Sequence, residues 1–263
     1  MLFIVLLAAF PSVFVTQDPA ASDLSRRLQP PGWETGDWEY PLGADALGRD
    51  LWSRIVASAR ITVTISILAV AVSATFGVIL GIVSGYFRGK ADAVIGAVTE
   101  IQLALPSILL ALTIIAVRGP DTSTLVLIMA LTGWVLFTRI IRSRALSVRE
   151  AEFVDAARVI GCSTPRILWR HILPQMTGPI AVTVTLEMAR MILLESSLSF
   201  LGLGVQAPDI SWGQMISDGR QYLSNGWWLT ALPGLAIALT VLAVNSVGDW
   251  AGDFLDPTGR AGQ

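Results

Sequence analysis

Residues 61–85 read ITVTISILAVAVSATFGVILGIVSG, without one charged side chain. A helix rises 1.5 Å per residue, so about 20 apolar residues cross the roughly 30 Å hydrocarbon core of a bilayer. A run of this length and character is a membrane span before it is anything else. Similar runs recur at 93–117, 124–141, 178–204 and 229–250. Composition agrees: 53% of the 263 residues are hydrophobic and 14% charged, against about 25% charged in soluble domains. That much apolar surface does not fit inside one soluble core, so the solvent is lipid. The expected fold class is an all-α polytopic membrane protein.

A shorter apolar run, LFIVLLAAFPSVFV, occupies residues 2–15. A signal peptide would carry a basic leader, and none precedes it. Residues 1–16 are therefore read as a first transmembrane helix whose cytoplasmic leader is absent from this start, giving six spans. Residues 17–59 read as an extracytoplasmic loop, acidic and rich in Pro, Gly and Trp. In it Gly43 and Gly48 allow turns, and Leu51, Trp52, Ile55 and Val56 are expected to lie along the interface as a short amphipathic helix. Residues 60–252 form a core of five spans, and 253–263 a polar cytoplasmic tail with Asp253, Asp256 and Arg260. Within the second span Ser73, Gly77, Gly81 and Gly85 recur every four residues. Such small-xxx-small stripes let membrane helices approach closely, inside one chain or across a dimer seam. Pro106 is expected to kink the third span. Trp212, Trp227 and Trp228 flank the last outer loop, as interface aromatics do.

One polar stretch interrupts the second half: Arg149 to Pro174, REAEFVDAARVIGCSTPRILWRHILP. Helical spacing puts Phe153, Ala156, Ala157 and Ile160 on one face, with Glu152, Asp155 and Arg158 elsewhere. Gly161 ends that helix through the left-handed cap that glycine adopts without penalty. Ser163 or Thr164 caps a second helix, Pro165 suits its first turn, and Leu173-Pro174 stops it. The stretch thus reads as helix, tight turn, helix over residues 145–174. It fits either an amphipathic loop on the membrane surface or a plug that docks into a groove on another protein. Placing it in the cytoplasm puts Arg88, Lys90, Arg139, Arg142, Arg144, Arg149, Arg158, Arg166 and Arg170 inside. That satisfies the positive-inside rule and makes both termini cytoplasmic.

These residues resemble a known family. Asp155-Ala156-Ala157, three residues, Gly161, then Leu173-Pro174 is similar to the EAA loop of binding-protein-dependent ABC importer permeases. Asp155 stands where the family usually has Glu, and His171 where it often has Ile. YPLGADALGRDLWSR (Tyr40 to Arg54) is similar to the family's PLGTDxLGRDxxSR segment, with Ala44 for Thr. SLSFLGLG and GDWAGDFLDP are further markers. The variant resembles the dipeptide, oligopeptide and nickel (DppC/OppC-type) branch. The resemblance implies a type I ABC importer permease fold in a bacterial inner membrane. It implies peptide substrates, or alternatively a nickel chelate or other small solute. It also implies a second homologous permease, two ATP-binding subunits that hold ATP and Mg, and an extracytoplasmic substrate-binding protein. The loop would then be the coupling segment, with Glu152, Asp155, Ala156, Ala157, Arg158, Gly161, Arg166, Leu173 and Pro174 contacting the ATPase subunit.

Polar groups inside the spans are few and costly. Glu100 and Gln102 lie in the third span. Glu187, Arg190, Glu195 and Ser197 lie in the fifth, with Arg190 three residues from Glu187 and within reach on one face. They read either as structural ion pairs or as pathway lining. Catalysis on this chain is disfavoured. One histidine excludes HExxH, GYFRGKA lacks the glycine placement and the Ser/Thr of a phosphate loop, and GIVSG puts its serine one place late. Cys162 with His171 falls short of a four-ligand zinc site, and a single cysteine excludes an internal disulfide. No nucleic-acid partner is expected. A secondary transporter without ATPase partners is the remaining rival; it would show inverted repeats, and none is evident.

Overall fold

The structure is a computed structural model that describes residues 6, 7 and 9–255. Lipid offers no partner to backbone N–H and C=O groups, so spanning segments must satisfy them internally. Helices do so here. Eight helices of at least eight residues occur among the described residues: α1 Leu51–Phe87, α2 Gly89–Ala104, α3 Ser107–Arg118, α4 Thr122–Val148, α5 Glu152–Val159, α6 Thr177–Phe200, α7 Trp212–Gly219 and α8 Trp228–Leu255. The one β feature among them is an isolated antiparallel bridge between Ala44 and Asp50. Two compact units are formed: Met1–Leu68 with Ile114–Val126 and Ala189–Val244, and Ala69–Thr113 with Leu127–Met188 and Asn245–Gln263.

Four helical stretches are long and apolar enough to cross a membrane, or five if the bent pair α2 and α3 counts as one span. The expected first span, 1–16, falls partly outside the described residues, and the tail beyond 255 wholly so. The expected kink in the third span is a break. α2 and α3 meet at 86°. Pro106 pushes the preceding residue out of the helical region, and Leu105 is extended at φ −90° and ψ 122°. The interfacial helix at Leu51, Trp52, Ile55 and Val56 is not separate either. Those residues are the first turns of the 37-residue α1, and Leu51, Ile55 and Val56 are buried.

In the first unit, the polar segment ahead of α1 folds back on tight turns. Gly43 and Gly48 have φ of +82° and +72°. A Cβ on Gly48 would stand 1.7 Å from the Asp23 carbonyl oxygen, so no other residue fits. Indole N–H groups tie this unit together: Trp212 donates to the Ile55 carbonyl at 2.9 Å and Trp228 to that of Ala44 at 3.2 Å. Trp212 and Trp228 are buried, so the expectation of interface-facing aromatics holds for the exposed Trp227 and not for these two. Burial of a tryptophan requires a partner for its N–H, and a main-chain carbonyl from far along the sequence supplies it.

In the second unit, α1 packs on α4 along the small-residue stripe. Ser73, Gly77, Gly81 and Gly85 are all buried. Ser73 Oγ donates to the Ala130 carbonyl at 3.2 Å, and Thr138 Oγ1 to that of Gly77 at 3.2 Å. A Cβ on Gly77 would meet the Trp134 oxygen at 2.5 Å; on Gly81, Ile141 Cβ at 2.8 Å; on Gly85, Ala145 Cβ at 2.7 Å. A second seam joins α8 to α6, where Gly248 lies against Thr185 and Gly252 against Val182. The polar tail expected from residue 253 begins inside α8, which continues to Leu255.

Replacing Gly81 by valine should drive Cβ into the α4 backbone and destabilise the fold by about 1–3 kcal/mol or more. Gly96→Ala, where an added Cβ meets nothing within 4 Å, is the control. Thermal inactivation of the detergent-solubilised protein should drop for the first and stay unchanged for the second.

Candidate coupling site

The helix–turn–helix forms as the sequence indicates, and its details come from local chemistry. α5 starts from an extended Ala151 and carries Glu152 and Asp155 in its first turn and Arg158 in its last. Those charges complement the helix dipole at both ends. Asp155 and Arg158 pair at 2.6 Å. The expected apolar face is split. Val154 and Ala157 are buried, while Phe153 is 42% and Ile160 78% exposed, and Val159 and Ala156 also face outward. Residues 154 and 157 define the edge that rests on the protein, and the apolar residues beside them are left without cover.

The turn is a Schellman cap. Gly161 has φ +79°. Its N–H donates to the Arg158 carbonyl and the Cys162 N–H to that of Ala157, both at 3.0 Å. This is the double-bond pattern that closes a helix through a left-handed residue. An added Cβ at Gly161 would meet nothing within 4 Å, so the constraint there is conformational and not steric. Ser163 is the N-cap residue of the next helical turn, with no side-chain cap bond.

Leu173-Pro174 does not stop the second helix. The chain is helical from Thr164 to Phe200 and passes the proline through a π turn at Leu168–Ile172 and a 3-10 turn at Leu173–Met176. The Leu173 N–H reaches back five residues to the Leu168 carbonyl. Proline lacks an N–H and its ring clashes with the carbonyl four residues earlier. A wider turn just ahead of it relieves that clash without ending the helix. Arg166 and Pro174 are exposed and Leu173 half-buried. Trp169, also exposed, borders an apolar groove of 470 Å³ between Leu168, Leu173 and the Ala74–Val83 stretch of α1.

Pairings the sequence did not single out hold this elbow. Asp92 accepts from Arg142 Nη2 at 2.7 Å and from Arg142 Nε and Ser84 Oγ at 2.5 Å. Arg88 pairs with Glu150. Tyr86 lies under two arginines, Arg149 and Arg158. Their signal was a cluster of opposite charges at both ends of the loops, which sequence spacing alone does not pair.

The intramembrane polar residues are divided between the two units. In the first unit Glu195 is buried and accepts from Ser199 Oγ at 2.6 Å, with Ser196 Oγ at 3.4 Å. Ser199 Oγ in turn accepts from the Val205 N–H at 3.3 Å, so its own hydrogen is directed at the carboxyl group. Gly204 and Gly213 bring the following loop and α7 against Ser199 and Ser196, closer than a Cβ allows. Arg190 and Ser197 are exposed on the isolated chain. In the second unit Glu187 is buried, Gln102 half-buried and Glu100 exposed. Among the described residues no group of three or more His, Cys, Asp or Glu could hold a metal ion.

An all-helical chain with several apolar spans and a helix–turn–helix between two of them is a polytopic membrane protein by class, and comparison makes the class specific. Residues 77–260 match the binding-protein-dependent transport system inner membrane component family. The chain belongs to that family. It is 40% identical to the dipeptide transport system permease protein DppC of Alkalihalophilus pseudofirmus, over 96% of this chain and 82% of that protein. Identity is 38% with the di/tripeptide permease DppC of Pseudomonas aeruginosa, over 98% and 85%. It is 36% with the oligopeptide permease OppC of Bacillus subtilis, over 98% and 83%. The fold is like that of the MetNI methionine ABC transporter in inward-facing conformations, with a TM-score of 0.65 at 14% identity, covering 78% of this chain and 97% of that one. The chain is thus a multi-pass inner-membrane permease subunit of an ABC transporter and not an enzyme; ATPase and substrate-binding components are separate proteins.

Glu195→Ala should leave the Ser199 and Ser196 hydroxyls short of an acceptor and cost about 1–3 kcal/mol. Hydrogen exchange should rise in the loop and α7, residues 201–219, and stay unchanged in α4. Equal exchange in both would remove the carboxyl group's part in holding that loop.

Proposed function

We propose that this chain moves small peptides across the membrane as one half of a permease pair. A second homologous permease, two ATP-binding subunits carrying ATP and Mg, and an extracytoplasmic substrate-binding protein complete the assembly. The observation that carries the reading is the elbow. Phe153, Ala156, Val159 and Ile160 stand exposed on an otherwise polar segment. Exposed apolar side chains rimmed by charge are the surface of a docking element. Glu152, Asp155, Arg158 and Arg166, exposed beside them, set its orientation on the ATPase subunit, and Leu173 and Pro174 join it to α6. The DppC and OppC relatives support a peptide cargo.

In this mechanism closure of the ATPase pair on ATP moves the elbow, and the spans exchange inward-facing for outward-facing states. Nucleotide binds the two states unequally, which is what biases the exchange. The elbow is cytoplasmic and so are both termini, in keeping with the arginines around it. Glu100, Arg190 and Ser197, exposed on the isolated chain, face the path, and Gln102 borders it. Glu187 and Glu195 support the path from within.

The test uses the assembled complex in vesicles. Leucine at Gly161 meets no neighbour but must hold a positive φ, at about 1–2 kcal/mol, enough for a fivefold or larger shift in an equilibrium. Gly161→Leu should assemble and lose most of the ATPase stimulation given by loaded binding protein. Gly161→Asn, which tolerates that conformation, should keep it. Full stimulation in the leucine variant would refute the docking role. Thermal shift of the binding protein with di- and tripeptides against nickel–histidine decides the cargo; a response to nickel alone would replace the peptide.

A further inference from the structure

Tyr86 is the penultimate residue of α1 and is 8% exposed. The guanidinium carbon of Arg158 lies 5.5 Å from its ring centroid and that of Arg149 5.7 Å. Arg149 Nη1 also donates to the Tyr86 carbonyl. Arg149 directly follows α4, and Arg158 closes α5. One ring therefore gathers the ends of three helices. A cation within about 6 Å of an aromatic face is attracted by the ring quadrupole, more so where water is excluded. Two guanidinium groups repel each other, and Asp155, 2.6 Å from Arg158, offsets one of them.

The backbone beside Tyr86 is strained to the same end. Arg88 has φ +56°, in the left-handed region that a side chain other than glycine or asparagine seldom enters. There its side chain pairs with Glu150, immediately after Arg149. Both sides of the α1–α2 turn are thus fastened to the residues that lead into the elbow. The Arg88–Glu150 pair is solvent-exposed and contributes little by itself. The buried ring is the firm part of the joint.

We propose that Tyr86 is the positioning residue of the elbow: its ring fixes the angle of α5 to the end of α1, so that a displacement of the elbow is passed to α1. Without the ring, α5 swings on its own loop and the displacement is lost. This rests on the coupling role given to the elbow above.

The experiment compares wild type, Tyr86→Phe, Tyr86→Leu and Arg149→Gln as full complexes with ATPase subunits and binding protein, in vesicles of bacterial polar lipid. It reads retention of the ATPase subunit, ATP hydrolysis, and uptake of labelled alanyl-alanine. Tyr86→Phe keeps the ring and loses only the hydroxyl group that Arg158 also meets, so it should keep most of the wild-type uptake per ATP. Tyr86→Leu should retain the ATPase subunit and hydrolyse ATP while uptake per ATP falls about threefold or more. Arg149→Gln, which leaves the ring in place, should show a smaller fall and carries the test if Tyr86→Leu does not assemble. Wild-type uptake per ATP in both Tyr86→Leu and Arg149→Gln would overturn the inference and leave the importer reading intact. Wild-type vesicles that retain no ATPase subunit would overturn both.

Discussion

The second unit depends on two helices whose backbones approach closely. At Gly77, Gly81 and Gly85 the α1 main chain lies so near α4 that a methyl group does not fit. Lipid tails are as apolar as leucine, so helices in a bilayer gain little by hiding grease from solvent; they associate by close packing and by hydrogen bonds across the seam. Thr138 and Ser73 supply such bonds. The seam has a downstream effect. Gly85 against Ala145 sets the heights of the two helix ends; Tyr86 follows Gly85 directly, and Arg149 lies one helical turn beyond Ala145. The joint at the elbow inherits its geometry from glycines inside the membrane.

Much of this was legible beforehand. Span positions follow from apolar runs that have no other home, and the left-handed turn at Gly161 from a residue that alone takes it freely. The small-residue stripe announced a close approach without naming the partner helix. What stayed hidden has physical causes. Pro106 and Pro174 look alike in a string of letters, yet one breaks its helix by 86° and the other is carried through. The difference lies in whether the preceding turn widens to free the clashing carbonyl, as it does at Leu168–Ile172 and not at Leu105. Trp212 and Trp228 read as interface residues because burial depends on a main-chain carbonyl supplied from far along the chain. Tyr86 was silent because a ring between two arginines is a product of folding and has no spacing rule.

Charge is distributed by the same logic. The elbow spends its acids and bases on one another and on its helix dipole, leaving Phe153, Val159 and Ile160 outward. Within the spans Glu195 is surrounded by hydroxyl groups and held by hydrogen bonds. Hydroxyl groups inside spans turn back on their own helix, as Ser66 does on Thr62 and Thr183 on Pro179. Apolar side chains are left uncovered on the elbow, while Asp155 and Arg158 beside them and most buried hydroxyl groups are paired.

The π turn at Leu168–Ile172 has one residue more than an α-turn would need. In a helix each residue advances the direction of its side chain by about 100°. Everything beyond that turn, Glu187 and Glu195 included, is therefore aimed by a surplus residue more than a dozen positions upstream. Shortening the stretch by one amino acid would leave the composition of α6 untouched and turn the exposed Leu186 and Leu193 round toward the protein. The azimuth of the whole span is written in a bulge beside a proline.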